Sequence, residues 1–263
     1  MDHFIDSIAN LQDSFSGEIT GIAISMPGAI DSKNGFCYTG GAYTFINGLP
    51  LAEMIQNRCQ VPVTIGNDAK CAAEAELAFG VLQGVSNAAV IVLGTGVGGA
   101  IILNNQVHEG KNFVAGEFSW VRTDGNDGNN LDKLWVNQNG MVGLSSLVQS
   151  YLNTDLLYSG LDIFKLAMNG NLIVKQAIDE FCRRLAVQIY NLQTVFDFER
   201  VAIGGGISEQ PMLLELTNKH IDEMYELGCK YGAPVTKPQV VICKYRNDAN
   251  LLGAYKIYQK YTK

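Results

Sequence analysis

Basic clusters, cysteine pairs and membrane-length apolar runs are all missing from this 263-residue sequence. No stretch gathers Lys and Arg, and the net charge is -7. A nucleic-acid surface needs a basic stripe to replace phosphate counterions, so that class of partner is not expected. An acidic chain still accepts anionic ligands, because backbone N–H groups bind phosphate without any Lys. Cys37, Cys59, Cys71, Cys182, Cys229 and Cys243 are scattered, with no C-x-x-C and no His at ligand spacing. Free, buried thiols in a reducing cytoplasm are the expectation. The opening "MDHFIDSIANLQDSFSG" has no basic region and no long apolar core, so it is not a secretory signal. Around Ala88–Leu103 the apolar run is broken by Thr95 and four glycines. It falls short of the ~20 residues that span a bilayer. A soluble, cytoplasmic protein without membrane contact is expected.

What is present suits a large core. Hydrophobic residues make up 47% of the chain and charged residues 17%, enough apolar surface to bury in one large or two ordinary domains. Apolar spacing predicts a helix over 3–15, a strand in "ITGIAISMPGAI" ending at a Pro-Gly turn, and a helix near 50–58. A strand at 61–66 runs into a helix whose first turn holds Asn67 and Asp68. "AAVIVLGTGVGGAIILNNQVHEG" reads as two strands around a glycine turn, then a polar turn at Asn104-Asn105. Residues 104–140 are polar and carry the least pattern. Helical spacing returns over 144–168 and 172–196, followed by a strand into "GGG" at 204–206, a helix around 210–228, a strand at 239–245 and a helix at 248–261. Continuously apolar strands alternating with helices indicate an α/β fold with parallel or mixed sheets.

Four motifs carry possible chemistry, each with a plainer alternative. In "IGNDAKCAAEAE", Asp68 stands where a strand enters a helix, a position α/β proteins use for ligands; it can take a proton from a hydroxyl, or merely cap the helix. In "LGTGVGG", Gly94, Gly96, Gly98 and Gly99 with Thr95 expose N–H and O–H donors for an anion. A glycine-rich hairpin turn would need the same residues for positive φ. No Gly-Lys-Ser/Thr follows, and a strand rather than a helix comes next, so neither a P-loop nor a dinucleotide fingerprint fits. Gly204–Gly206 allow close approach of a nucleotide or simply a tight turn. Glu117 in "VAGEFSW" can accept from two sugar hydroxyls or be an ordinary surface Glu. His108, after a polar turn, is expected to be exposed.

In this order the motifs resemble the ROK family of bacterial sugar kinases, within the actin/hexokinase type of fold. The resemblance runs from about Ile19 to the C-terminus. It implies a two-domain α/β fold with an interdomain cleft, the first domain being 1–78 plus the final helix 247–263 and the larger one 79–246. It implies phosphoryl transfer from Mg-ATP to a sugar hydroxyl, with the 6-OH of a hexose or β-glucoside as the expected acceptor. Asp68 would be the catalytic base. Asn67 and Glu117 would bind sugar hydroxyls, and Gly40, Gly41 and Asn47 would border the sugar pocket. Gly94, Thr95, Gly96, Gly98 and Gly99 would face the ATP phosphates, and Gly204, Gly205 and Gly206 the adenosine. The partners implied are a sugar and ATP, with a homodimer as the candidate assembly.

Two departures from the family stand out. Trp120 occupies the position of a family His three residues after Glu117, and no Cys lies between Cys71 and Cys182. No structural zinc is therefore expected, as in the zinc-less branch that includes β-glucoside kinases. Trp120 would stack on a sugar face or an aglycone, or else fill the volume of the missing His and zinc. The family also opens on a strand and Asp-x-Gly-Gly-Thr, which has no counterpart before "ITGIAIS". The expectation is an incomplete N-terminal sheet and weak or no ATP turnover by these 263 residues. A sugar-binding regulator and a degenerate, inactive kinase are the alternatives.

Overall fold

The computed structural model describes residues 1–262. Helix α1 (Asp2–Asp13) lays Ile5 and Ala9 on a first core. Strand β1 (Ile22–Met26) ends at Pro27-Gly28. Gly28 has φ 121°, and a Cβ there would lie 2.0 Å from the Thr39 carbonyl oxygen, so only glycine makes this turn. A short antiparallel pair follows, β2 (Ile30–Asp31) and β3 (Phe36–Cys37), then α2 (Leu51–Cys59). Two-residue strands carry too little periodicity to be read from sequence, and neither was expected. Strand β4 (Val63–Asn67) runs parallel to β1, from Ile22 opposite Val63 to Met26 opposite Asn67. Among the described residues β1 pairs with β4 alone. Helix α3 (Asp68–Phe79) leaves the end of β4 directly.

The second sheet has the order β7-β6-β5-β8-β9. Its strands are β5 (Ala88–Leu93), β6 (Val97–Leu103), β7 (Gln106–His108), β8 (Arg200–Gly204) and β9 (Gln239–Ile242). β5, β8 and β9 are parallel, while β6 and β7 return antiparallel. The turn between β6 and β7 places Asn104 and Asn105 at φ 54° and 62°, the left-handed pair that two-residue hairpins favour. His108 is exposed on β7. Between β7 and β8 lie α4 (Trp135–Asn139), α5 (Met141–Leu152), α6 (Gly160–Met168) and α7 (Leu172–Phe196). Helix α8 (Pro211–Lys230) joins β8 to β9, and α9 (Ala249–Tyr261) closes the chain.

The two largest cores among the described residues draw on residues between Ile5 and Ile65 and on residues between Ala89 and Val240. Helix α9 does not cover the second sheet; it packs back on α3, β1 and β4. Small residues make this possible. A Cβ on Gly253 would lie 1.7 Å from the Cys71 carbonyl oxygen, and Ala254 and Ile257 close over Cys71 beside it.

The segment 104–140 is more organised than its composition suggests. Trp135 is fully buried; its Nε1 donates to Asn139 Oδ1 at 2.9 Å, and Asn139 Nδ2 donates to the Phe181 carbonyl at 2.9 Å. Anchors this widely spaced leave no period to read. No helix among the described residues is long and apolar enough to cross a membrane.

Candidate active site

The ends of β1 and β4, the turn between β5 and β6, and the loop after β7 meet at a cavity of about 1110 Å³. Asp68 and Glu117 line it, with Asn47, Asn67, Gly41, Thr95, Trp120 and Gly94, Gly96, Gly98 and Gly99. Residues from both sheets and from the connections after β1, β3, β5 and β7 thus share one space.

The junction of β4 and α3 divides two tasks between neighbours. Asn67 is the helix cap: its Oδ1 accepts from Lys70 N at 3.1 Å, and its Nδ2 donates to the Gly28 carbonyl at 3.0 Å. Each end keeps one further hydrogen-bonding position toward the cavity. Asp68 is therefore not the cap. One of its oxygens accepts from Ala69 N at 2.8 Å, and the other accepts no hydrogen bond from a described residue. The plainer reading of Asp68 as a helix cap is overturned, because Asn67 already does that work.

The glycine hairpin does not meet the plainer expectation of a turn built on positive φ. None of Gly94, Gly96, Gly98 and Gly99 has a positive φ. At three of them the missing side chain makes room for a neighbour instead. A Cβ on Gly99 would fall 2.0 Å from the Phe118 ring, one on Gly98 3.3 Å from Ala69 Cβ, and one on Gly96 2.8 Å from Val136. At Gly94 it would meet nothing within 4 Å. The turn is tied down from outside by Met141 N, which donates to the Gly94 carbonyl at 2.9 Å.

Glu117 reaches the cavity from a loop fastened to β6. Ser119 Oγ donates to the Val97 carbonyl at 2.6 Å, and Gly116, at φ 86°, would set a Cβ 2.8 Å from the Gly99 carbonyl oxygen. Burial raises the Glu117 carboxyl above the ordinary glutamate value; the Lys70 ammonium opposes that shift and the Asp68 charge adds to it. Trp120 is 69% exposed at the rim, so it fills no interior volume.

Four expected residues lie outside this lining. Gly40 is buried behind it and donates its N–H to Asn47 Oδ1 at 2.7 Å, so it supports a lining residue rather than being one. Gly204 ends β8 against Cys243, and Gly205, at φ 85°, packs on the Leu93 carbonyl just before the hairpin turn. Gly206 opens a short 3-10 turn next to it. Pro27, Gly28, Thr39, Ser119 and Asn250 line the cavity and were not anticipated. The Pro-Gly turn was legible as a turn but not as a wall; Asn250, at the start of α9, carries no local signal.

The lining holds two carboxylates and no Lys or Arg. A triphosphate would find backbone N–H groups and hydroxyls here, not cationic side chains. No group of three or more His, Cys, Asp or Glu among the described residues is placed to hold a metal ion.

The chain is similar in sequence and shape to several known proteins. A β-glucoside kinase of Klebsiella pneumoniae is 32% identical over 244 residues, covering 92% of this chain and 79% of that protein. A β-glucoside kinase of Listeria monocytogenes is 29% identical over 239 residues, covering 90% and 78%. The crystal structure of a ROK family protein from Streptococcus pneumoniae in complex with sucrose superimposes with a TM-score of 0.85 at 28% identity, over 100% of this chain and 87% of that one. A ROK family glucokinase from Streptomyces griseus, in complex with glucose and AMPPNP, shares the fold with a TM-score of 0.83 at 23% identity, over 98% and 88%. The sequence pattern of the ROK family matches residues 1–261, and with the actin/hexokinase-like α/β fold of those structures the chain belongs to the ROK family.

Proposed function

We propose that the protein transfers the γ-phosphoryl group of ATP to a sugar hydroxyl, the 6-OH of a hexose or β-glucoside. The observation that carries this reading is Asp68: a carboxylate spared from capping, with one oxygen unclaimed, in the same cavity as the glycine hairpin. The hydroxyl proton passes to Asp68 as the sugar oxygen attacks the γ-phosphorus, and the bond to the β,γ-bridging oxygen breaks to release ADP. In such transfers positioning and charge neutralisation lower most of the barrier, and a general base contributes typically 10²–10⁴-fold.

Glu117 and Asn67 orient the sugar through its other hydroxyls, with Asn47 at the pocket edge and Trp120 over an apolar sugar face or aglycone. The Gly94–Gly99 hairpin offers N–H groups and the Thr95 hydroxyl to phosphate, and Gly204–Gly206 lie on the adenosine side. Mg²⁺ carried on ATP would neutralise phosphate charge, which the lining, without Lys or Arg, does not do. Residues 1–78 with 247–263 form one closing lobe and 79–246 the other, so that sugar and ATP are brought together by hinge motion.

The test is ADP release measured across a sugar panel, beside calorimetry of sugar binding. Asp68→Asn should abolish turnover and leave sugar binding largely intact. Near-normal turnover in that variant removes Asp68 from the role of base. Sugar binding by the wild-type chain without any ADP release would instead identify a sugar-binding regulator or inactive kinase.

A further inference from the structure

Lys70 is 3% exposed, two positions after Asp68 on α3, yet it has no carboxylate within ion-pair distance among the described residues. Burying an ammonium is costly unless its hydrogen bonds are satisfied. Its Nζ donates to the Phe113 carbonyl at 2.7 Å, 43 residues away in sequence. Phe113 is unusual in its own right. Its φ is 60°, a region disfavoured for a residue with a bulky side chain, and Gly110 and Gly116 on either side are left-handed too. A loop that turns left-handed three times before delivering Glu117 depends on ties that hold it.

Those ties are visible. Ala115 N donates to the Glu109 carbonyl at 3.2 Å, and Glu117 N to the Val114 carbonyl at 3.2 Å. The Phe113 ring stacks on Tyr38, centroids 5.4 Å apart and 16° from parallel, which links the loop to the first sheet's side of the cleft. Lys70 adds the one charged tie, and its charge also attracts Glu109 and Glu117. Burial pulls the Lys70 ammonium below the ordinary lysine value while those two carboxylates oppose the shift.

We propose that Lys70 is a positioning residue: by holding the 109–117 loop at the Phe113 carbonyl, it aims Glu117 into the sugar site. This rests on the sugar-binding reading of Glu117 above. A purely structural lysine would lower stability and every ligand affinity together. A positioning lysine affects the sugar and spares the nucleotide, because the tip of the glycine hairpin has its own tie, Met141 N to the Gly94 carbonyl.

The experiment compares wild type, Lys70→Met and Lys70→Arg by calorimetry with glucose, methyl β-glucoside and AMPPNP, and by amide hydrogen exchange over 109–118. Leaving the half-buried Phe113 carbonyl without its donor predicts a loss of sugar affinity of roughly tenfold in Lys70→Met, with AMPPNP affinity unchanged and faster exchange at Phe113–Phe118. Lys70→Arg, which keeps the charge and a donor, should recover most of both. Unchanged sugar affinity and exchange in Lys70→Met, or equal losses for sugar and AMPPNP, would overturn the proposal. Should Lys70→Met not fold, Tyr38→Ala decides: Tyr38 is half exposed, and removing its stack should speed the same amides and weaken sugar binding, whereas no change in either refutes the latch. If wild type binds neither glucose nor methyl β-glucoside, the sugar-site reading fails, and hydrogen exchange alone judges whether Lys70 orders the loop.

Discussion

Replacing Gly99 by Ala should damage the proposed sugar site from the side of the glycine hairpin. The added methyl would stand 2.0, 2.4 and 2.8 Å from three atoms of the Phe118 ring. That ring cannot swing away: Phe118 is 3% exposed and packs on the fully buried Trp135, centroids 5.3 Å apart. Overpacking of this kind costs about 1–3 kcal/mol, which for a chain of this size lowers Tm by roughly 2–12 °C. The displaced Phe118 directly follows Glu117, so sugar affinity should fall as well. Gly94→Ala is the matched control. Its Cβ meets nothing within 4 Å and its φ is not left-handed, so reduced chain entropy in the unfolded state should leave Tm unchanged or raise it slightly, by up to about 1 kcal/mol of stability. Thermal melts and glucose calorimetry on the two variants give the answer. Equal Tm values for Gly99→Ala and wild type would refute the steric coupling of hairpin and sugar loop.

Three further outcomes are expected. Sugar affinity should fall on acidification at a midpoint above the ordinary glutamate value, because burial raises Glu117 and only its ionised form accepts from two hydroxyls; folding takes up a proton between the ordinary and raised values, so stability declines as pH rises through that same window. Paired titrations of affinity and Tm against pH, with a weaker pH dependence of both in Glu117→Gln, check the sign; Glu109, also raised by burial, keeps its own part of the stability change. Glu76 is fully buried and accepts from Val81 N and Tyr245 N, each at 2.9 Å, so Glu76→Gln should cost about 1–3 kcal/mol in a denaturant titration. Trp120→Ala should leave Tm unchanged, given its exposure, and weaken methyl β-glucoside binding severalfold, the scale of one aromatic contact; calorimetry that shows no loss would remove Trp120 from the site.

Some of this was legible in residues alone because the physics is local. The apolar periods of α7 and α9, the Asn104-Asn105 turn and the Pro27-Gly28 turn each follow from backbone preferences within a few positions. The order of Asn67-Asp68, the glycine hairpin and Ala-Gly-Glu117 was readable as a family resemblance. Local rules stopped where two residues qualified for one task. Asn67 and Asp68 are both good helix caps, and only the Gly28 carbonyl waiting beside Asn67 Nδ2 decides which one caps and which keeps an oxygen toward the cavity.

The glycines make the same division. The glycines at 96, 98 and 99 are plain in the sequence; that they make room for Val136, Ala69 and the Phe118 ring, and do not serve positive φ, required the packed neighbours. Gly40 and Gly41 are adjacent in the chain, yet one supports Asn47 from behind and the other lines the cavity, because a single peptide turn sends them to different sides. Lys70 reads as an ordinary charge on a helix until the chain 43 residues later brings a carbonyl to it. Elements follow from short-range preferences, whereas the partner of a buried polar group is settled only when distant segments exclude water together.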